Sequence, residues 1–424
     1  MTRARAAVLV AAAVLVAAVA AAGYALVRGG RSSSRVVTDG PSAIRAAFAA
    51  RSYEPGAGAR LVVTARARRL AVRIFHVGPE EEWTRRNDEL KGVPITATRT
   101  LRWAPGGATR GVAVRVRGWP SGLYFARLAA PDGRVGFAPF VVRPRRLGES
   151  RVLVVLPTNT CQAYNFRDVD EDGVGDTWYA DSDIDSVDLT RPFLDRGVPP
   201  HFRGYDYGFV RWLAHTGKRP DVVADDDLER LSARALHRLY DLVVFSGHEE
   251  YVTPHVYDAI LRYRNLGGNL AFLSANNFFY RVERRGHRLY RTDRWRDIGR
   301  PEGRLTGAGY VGWFEDKWRN GPYAVVGTRA APWLFRGTGV RDGDRFGTYG
   351  IEIDRRDGSS PRGTIVLARA RDLFGKGRSA EMTYYETPRG AKVFSAGVMN
   401  FGGSSSQPVP SRLLENLWRR LSAP

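Results

Sequence analysis

Val152-Leu153-Val154-Val155-Leu156-Pro157-Thr158-Asn159-Thr160-Cys161-Gln162-Ala163-Tyr164-Asn165 opens with five apolar residues in a row and then turns polar. An apolar run without alternation is what a strand covered on both faces requires, so it predicts a buried parallel strand. Similar short runs recur at 221–224, 242–246, 270–273 and 393–396. Between them the spacing becomes helical. Phe209, Trp212 and Leu213 share a face ahead of Gly217, and Leu228, Leu231, Leu236 and Leu239 follow Asp225 and Asp226, either of which can cap a helix. Pro254 suits the first turn of a helix that Gly267-Gly268 ends, and residues 411–421 form a closing helix. Strands alternating with helices predict an α/β domain over residues 147–424 with an open, mostly parallel sheet. The turn-rich stretch 284–389 adds strands at 364–368 and 382–385, and no internal repeat is visible.

Upstream the pattern changes to short strands with β-branched and alternating residues, at 61–65, 70–77, 95–98, 112–116, 123–128 and 137–142. Pro131-Asp132-Gly133 is a hairpin turn. So many short strands predict a small immunoglobulin-like β-sandwich over residues 59–146, without a cluster of catalytic residue types. Residues 29–58, with Ser32-Ser33-Ser34 and Pro55, have the composition of a linker. Before them, Arg3 and Arg5 precede an uncharged run at 6–27. At 1.5 Å per residue that run reaches about 33 Å, enough to cross a bilayer core. Residues 1–28 are therefore a signal peptide or a signal anchor, and the protein is exported, either membrane-anchored on the extracytoplasmic side or secreted.

That placement governs how the charge is read. The chain of 424 residues has 65 Lys+Arg against 44 Asp+Glu, a net charge of +21. Outside the cytoplasm nucleic acid is not the partner, and the arginines face an anionic envelope polymer or keep the protein soluble. A single Cys excludes a disulfide scaffold and any multi-thiolate metal site. Hydrophobic residues at 43% exclude general disorder.

In an open α/β sheet, ligands sit outside the carboxyl ends of the strands. Here those ends open into Pro157 to Asn165, into Gly247-His248-Glu249-Glu250-Tyr251, into Ser274-Ala275-Asn276-Asn277 and into Gly397-Val398-Met399-Asn400. Four polar loops thus converge on one crevice. A fifth feature lies between Tyr164 and Tyr179. Asp168, Asp170, Asp172, Gly173 and Asp176 follow the spacing of the first part of an EF-hand loop, with Tyr179 where the bidentate Glu belongs. Alternate carboxylates and a turn glycine predict a calcium site, completed by Asp181, Asp183 or Asp185, that ties the loop down.

Pro157-Thr158, Gln162-Ala163-Tyr164-Asn165, Arg191-Pro192, Gly247-His248-Glu249-Glu250-Tyr251 and Asn276 ahead of Phe279-Tyr280 carry, in this order, a resemblance to the large (beta) subunit of N,N-dimethylformamidase. Trp333-Leu334-Phe335-Arg336-Gly337-Thr338-Gly339 and Val393-Phe394-Ser395-Ala396-Gly397 resemble further segments of that family. The resemblance implies a fold like that of class I glutamine amidotransferases without their nucleophile. It also implies a mononuclear iron held by two Tyr and one Glu. By motif, the ligands are Tyr164, Glu250 and Tyr179, with Tyr205 or Tyr207 as the alternative second Tyr. His248, Asn276 and Glu352 match catalytic pocket residues, and the family's pocket Lys has no counterpart here.

The chemistry agrees with that ligand set. Phenolate and carboxylate are hard oxygen donors, suited to a ferric ion, and a free Tyr titrates near 10. Such an ion polarises a carbonyl, and His248, two residues before Glu250, is placed to shuttle a proton. The expected activity is hydrolysis of a small amide or formamide C–N bond, by a chain that self-associates or not and meets a membrane only through its N-terminal segment. The competing reading is a non-catalytic envelope protein whose α/β domain binds a ligand or glycan. Cys161 invites a third, a thiol hydrolase, but it does not sit in the Gly-x-Cys-x-Gly elbow such enzymes use.

Overall fold

The strand Val152–Leu156, buried at every position, sets the centre of the molecule. Val152, Val154 and Leu156 join one core cluster and Leu153 and Val155 another, so this strand is covered on both faces. The structure, a computed structural model, describes residues 43–83, 90–104, 106–169, 173–179, 184–193, 202–313 and 319–423. The apolar run at 6–27 and the carboxylates Asp170 and Asp172 lie outside these residues. Among the described residues no helix is long and apolar enough to cross a membrane.

Val152–Leu156 pairs in parallel with Asp221–Ala224 on one side and Leu242–Phe245 on the other. Asn269–Phe272 and Lys392–Ser395 continue the parallel register. Beyond them Ala380–Glu386, Ile365–Ala370, Asn320–Val325 and Arg345–Gly350 extend the sheet antiparallel to nine strands. The sheet is therefore evenly mixed rather than mostly parallel. Short turn-rich connections in 284–389 allow hairpin pairing but not the helical crossover that a parallel neighbour needs.

The helices follow their apolar stripes. Phe209, Trp212 and Leu213 of Gly208–His215, with Leu413, Leu414 and Leu417 of Pro408–Leu421, pack on one face. Leu236 of Ala233–Leu239 and Val256, Ile260 and Tyr263 of Pro254–Asn265 pack on the other. Thr253 caps the latter helix by accepting from Val256 N–H, with Pro254 in the first turn. The helix expected from Asp225 onward is split in two. Ser232 caps Ala233–Leu239, because the Asp225 carboxylate is occupied elsewhere: it accepts from Thr158 Oγ1 at 2.8 Å and Asn159 N–H at 2.7 Å.

The N-terminal unit is a two-layer β structure around one core. Arg45–Phe48, Gly58–Thr64 and Thr109–Arg115 form one sheet. Ser52–Tyr53, Val135–Val142, Gly122–Ala129, Arg69–His76 and Val93–Pro94 form the other, with Arg99–Arg102 also paired to Arg69–His76. Two of these strands, Arg45–Phe48 and Ser52–Tyr53, fall in the segment read as linker, and in the first of them small residues hid alternating burial. The unit is fastened to the α/β sheet. Arg51 donates to Asn159 Oδ1 at 2.7 Å and pairs with Asp226, and Ser52 Oγ donates to Asp227 at 2.8 Å.

His76 gives this unit a pH signature. Its ring stacks on Tyr124 at 4.4 Å, and burial lowers its pKa to about 4. The folded state thus refuses a proton that the unfolded state accepts near pH 6.5. Stability is full above pH 6.5 and falls by about 2–3 kcal/mol as the pH drops toward 4. His76→Phe keeps the stack and should flatten thermal unfolding in that window; an unchanged acid slope in the variant refutes the assignment.

Candidate functional site

Tyr164 is presented by the short helix Thr158–Ala163, whose first turn is held by Asp225 and whose end it caps. Its hydroxyl donates to Glu250 Oε2 in a short hydrogen bond. Glu250 is fixed along its backbone: its N–H donates to Thr160 Oγ1 at 3.1 Å, and its carbonyl accepts from Phe279 and Tyr280 N–H. His248 stands over both groups. Its Nε2 lies 3.5 Å from Glu250 Oε2 and 3.4 Å from Glu352 Oε2, and its ring is 5.6 Å from that of Tyr164. The Asn276 side chain lies beside both carboxyls and favours their ionised forms. The structure thus brings Tyr164, His248, Glu250, Asn276 and Glu352 together at the carboxyl end of the sheet.

Two backbone features hold the far side. Asn276 has φ 54°, and its N–H donates to both Asp354 oxygens at 2.9 and 3.1 Å. Ile351, just before Glu352, has φ 72°, a left-handed conformation that costs a β-branched residue about 1–3 kcal/mol. Met399 N–H donates to Glu352 C=O at 3.1 Å and Asp354 N–H to Gly397 C=O at 3.0 Å. The fourth polar loop therefore positions Glu352 rather than adding a side chain.

The family-like motif residues have a structural task that the sequence did not disclose. Gln162 Nε2 donates to Arg191 C=O at 2.9 Å, and Arg191 Nη2 returns to Gln162 C=O at 2.7 Å. Arg191 Nη1 reaches Asp176 C=O at 2.6 Å, while Asn165 Nδ2 and Arg167 Nε both reach Pro192 C=O. This lattice locks the loop carrying Tyr164 and Tyr179. The Tyr179 ring is edge-on to Tyr164 at 5.7 Å and half exposed. Tyr205 is partly buried, and that burial, with the charges of Glu352 and Tyr179, raises its hydroxyl. Tyr207 is out of contention, because its hydroxyl donates to Glu80 Oε1 at 2.6 Å.

Electrostatically the site is short of positive charge. Burial holds Glu250 at about 7, and burial with repulsion from Glu250 holds Glu352 well above the carboxylate range. Burial lowers His248 to about 3, so the imidazole is neutral rather than a standing cation. Burial and the neighbouring carboxylates also push the Tyr164 phenol well up. His248 Nε2, Asn276 Oδ1 and Glu352 Oε2 are buried without a satisfying hydrogen bond. Oxygen donors packed in this way fit a bound cation, which would supply the missing charge. Among the described residues no three His, Cys, Asp or Glu side chains form a metal cluster, and the Tyr164 phenol is the further oxygen donor at Glu250.

The acidic loop is described in part. Asp168 accepts from Gly173 N–H at 2.8 Å, Asp176 accepts from Val169 N–H at 2.7 Å, and Gly173 turns with φ 89°. Cys161 lies in the Thr158–Ala163 helix, where burial and the charges of Asp206, Asp225 and Glu249 raise its thiol, the reverse of what a thiolate nucleophile needs. Sequence reasoning missed Thr160 and Asp354, which act through backbone contacts. It also missed Asp206, a buried carboxyl near the site that burial lifts to about 7.

These features define an α/β protein with a buried phenol–carboxylate–imidazole site. Residues 83–410 match the family described as N,N-dimethylformamidase beta subunit-like, C-terminal, and the chain belongs to that family. None of the curated proteins compared matches the chain. Among solved structures, an mmIFT52 N-terminal domain is similar at 10% identity and TM-score 0.31, covering 50% of this chain and 87% of that one. A superoxide reductase (neelaredoxin) from Ignicoccus hospitalis is similar at 13% identity and TM-score 0.17, covering 28% and 89%. Neither score supports an argument about fold or chemistry. Family membership places the chain with dimethylformamidase-like hydrolases.

Proposed function

We propose that the site hydrolyses a small amide or formamide C–N bond around a ferric ion held by Tyr164, Glu250 and a second phenol, Tyr179 or Tyr205. The observation that carries this reading is the hydrogen bond from Tyr164 to Glu250 beside buried polar atoms of His248, Asn276 and Glu352 that lack hydrogen-bond partners. When bound, the ion would act as a Lewis acid on the amide carbonyl. The chain's own residues do the rest. Asn276 holds Glu250 and Glu352 in one orientation. Glu352 Oε2 carries the proton that the departing amine nitrogen needs, and neutral His248, with its Nε2 3.4 Å away, orients that carboxyl. This moves the proton-carrying role from His248 to Glu352, since burial keeps the imidazole neutral.

Three further parts of the reading have their own supports. The parallel half of the sheet, with its site at the strand ends, is consistent with kinship to class I glutamine amidotransferases, which superposition of an experimental structure tests. The spacing of Asp168, Asp170, Asp172 and Asp176 supports a calcium ion bracing the loop of Tyr179, and calorimetric titration without calcium uptake refutes it. The apolar run at 6–27 supports an extracytoplasmic location, which fractionation of cells tests.

The experiment for the activity is direct. Iron–phenolate centres absorb visible light, so protein produced with iron should be coloured and should release amine from formamide or dimethylformamide. Colourless, iron-free protein without hydrolysis rules the reading out.

A further inference from the structure

Nine arginines between Arg60 and Arg117 are exposed, while residues 58–79 and 90–131 contain no Asp or Glu. Their positions converge. Among the described residues Thr109–Arg115 pairs only with Gly58–Thr64, and Arg99–Arg102 only with Arg69–His76, so each is an edge strand of one layer of the sandwich. The two edges meet, because Arg99 Nη1 crosses to Ala113 C=O at 3.3 Å. Arg60 lies across Gly111 on the same strand, Arg66 against Gly107 in the adjoining turn, and Arg110 over the Trp103 ring. The result is one basic rim, at the side of the layer away from the strand Val135–Val142.

Several arginines of the α/β domain are answered. Arg281, Arg285, Arg294, Arg296 and Arg300 each pair with a carboxylate. Along the rim, none of the nine forms an ion pair among the described residues. One or two charges are enough to keep an edge strand from pairing with another chain, so this concentration exceeds that need.

We propose that this rim docks on an anionic phospholipid surface. Guanidinium groups suit lipid phosphates through paired N–H donors, and clustered basic residues beside an apolar segment are attracted to anionic headgroups. The connection favours a bilayer over a dissolved polyanion. Seventeen residues, 28–44, join the apolar run to the strand Arg45–Phe48, a reach of at most about 60 Å, so an anchored chain keeps the rim beside the headgroups. The proposal rests on that anchor and shares no residue with the amide site.

The test uses the full chain reconstituted in nanodiscs of phosphatidylcholine with or without phosphatidylglycerol, read by amide hydrogen exchange. Phosphatidylglycerol should slow exchange in strands 99–102 and 109–115 at least about tenfold, and added salt should reverse this. Arg99→Glu, Arg102→Glu, Arg115→Glu and Arg117→Glu together should abolish the slowing. The same reversals at Arg329, Arg341, Arg345 and Arg389 should not. A parallel set with Gln, checked by thermal unfolding, covers the case in which the Glu set fails to fold. Equal exchange in both discs, equal loss in the control set, failure to stay with the anionic discs, or tighter binding to dissolved polyphosphate would each overturn the proposal.

Discussion

Tyr164→Phe and Glu250→Gln are each expected to lower amide hydrolysis at least about a thousandfold, about 4 kcal/mol of transition-state stabilisation, with the fold intact. The hydroxyl and the carboxylate meet in one hydrogen bond, and neither forms an ion pair with Lys or Arg among the described residues, Arg291 acting on Glu250 only through its charge. Removing either therefore takes away a hard oxygen donor without stranding an opposite charge, so thermal unfolding should move little. Because the two groups serve one centre, the double variant should be no worse than the poorer single one. Bound iron per chain should fall with activity in both variants. Full iron content with activity within tenfold of the parent would sink the assignment. Tyr179→Phe and Tyr205→Phe, measured alongside, decide the second phenol by which of them bleaches the colour.

Much of the site was legible because its residues are on loops that follow short apolar runs, and such runs need no partner information to be recognised. His248, Glu250 and Asn276 follow two of them and Tyr164 a third, so the crevice could be assembled from strand ends alone. Glu352 was not reachable in that way. It starts the strand Glu352–Arg355 after a left-handed Ile351, and no periodicity announces that backbone. The contributions of Thr160, Asp354 and Gly397 are hydrogen bonds to backbone groups of distant segments, 90 residues away for Thr160 and 78 for Asp354, which sequence spacing does not encode. The antiparallel half of the sheet was half-visible for the same reason. Its strands have the right composition, but their order depends on pairing. The start of the sandwich was hidden because Arg45-Ala46-Ala47-Phe48 alternates burial with small side chains that resemble linker.

Gly403→Ala is expected to destabilise the protein by about 3 kcal/mol or more and to disturb the site with it. The reason is a crossing of two backbones. The π-helical turn Arg203–Tyr207 lies directly on the turn Gly402–Ser404. A Cβ on Gly403 would sit 1.9 Å from Gly204 O, one on Gly402 2.4 Å from Tyr205 O, and one on Gly208 2.2 Å from Gly403 O. These obstacles are carbonyls, not side-chain tips, so relief requires moving the turn itself. The turn leads straight into the helix Gly208–His215, whose Phe209 and Trp212 are buried in the core. Movement in the other direction shifts Tyr205, which faces Glu352 and Tyr179. Both costs fall on one methyl group. Gly58→Ala is the control, since nothing lies within 4 Å of its Cβ position, and it should stay within about 0.5 kcal/mol. Thermal unfolding distinguishes the two substitutions. If Gly403→Ala melts with the parent, the turns do not cross as closely as described. If it melts early yet keeps full hydrolytic activity, Tyr205 has no part in the site and Tyr179 is the second phenol.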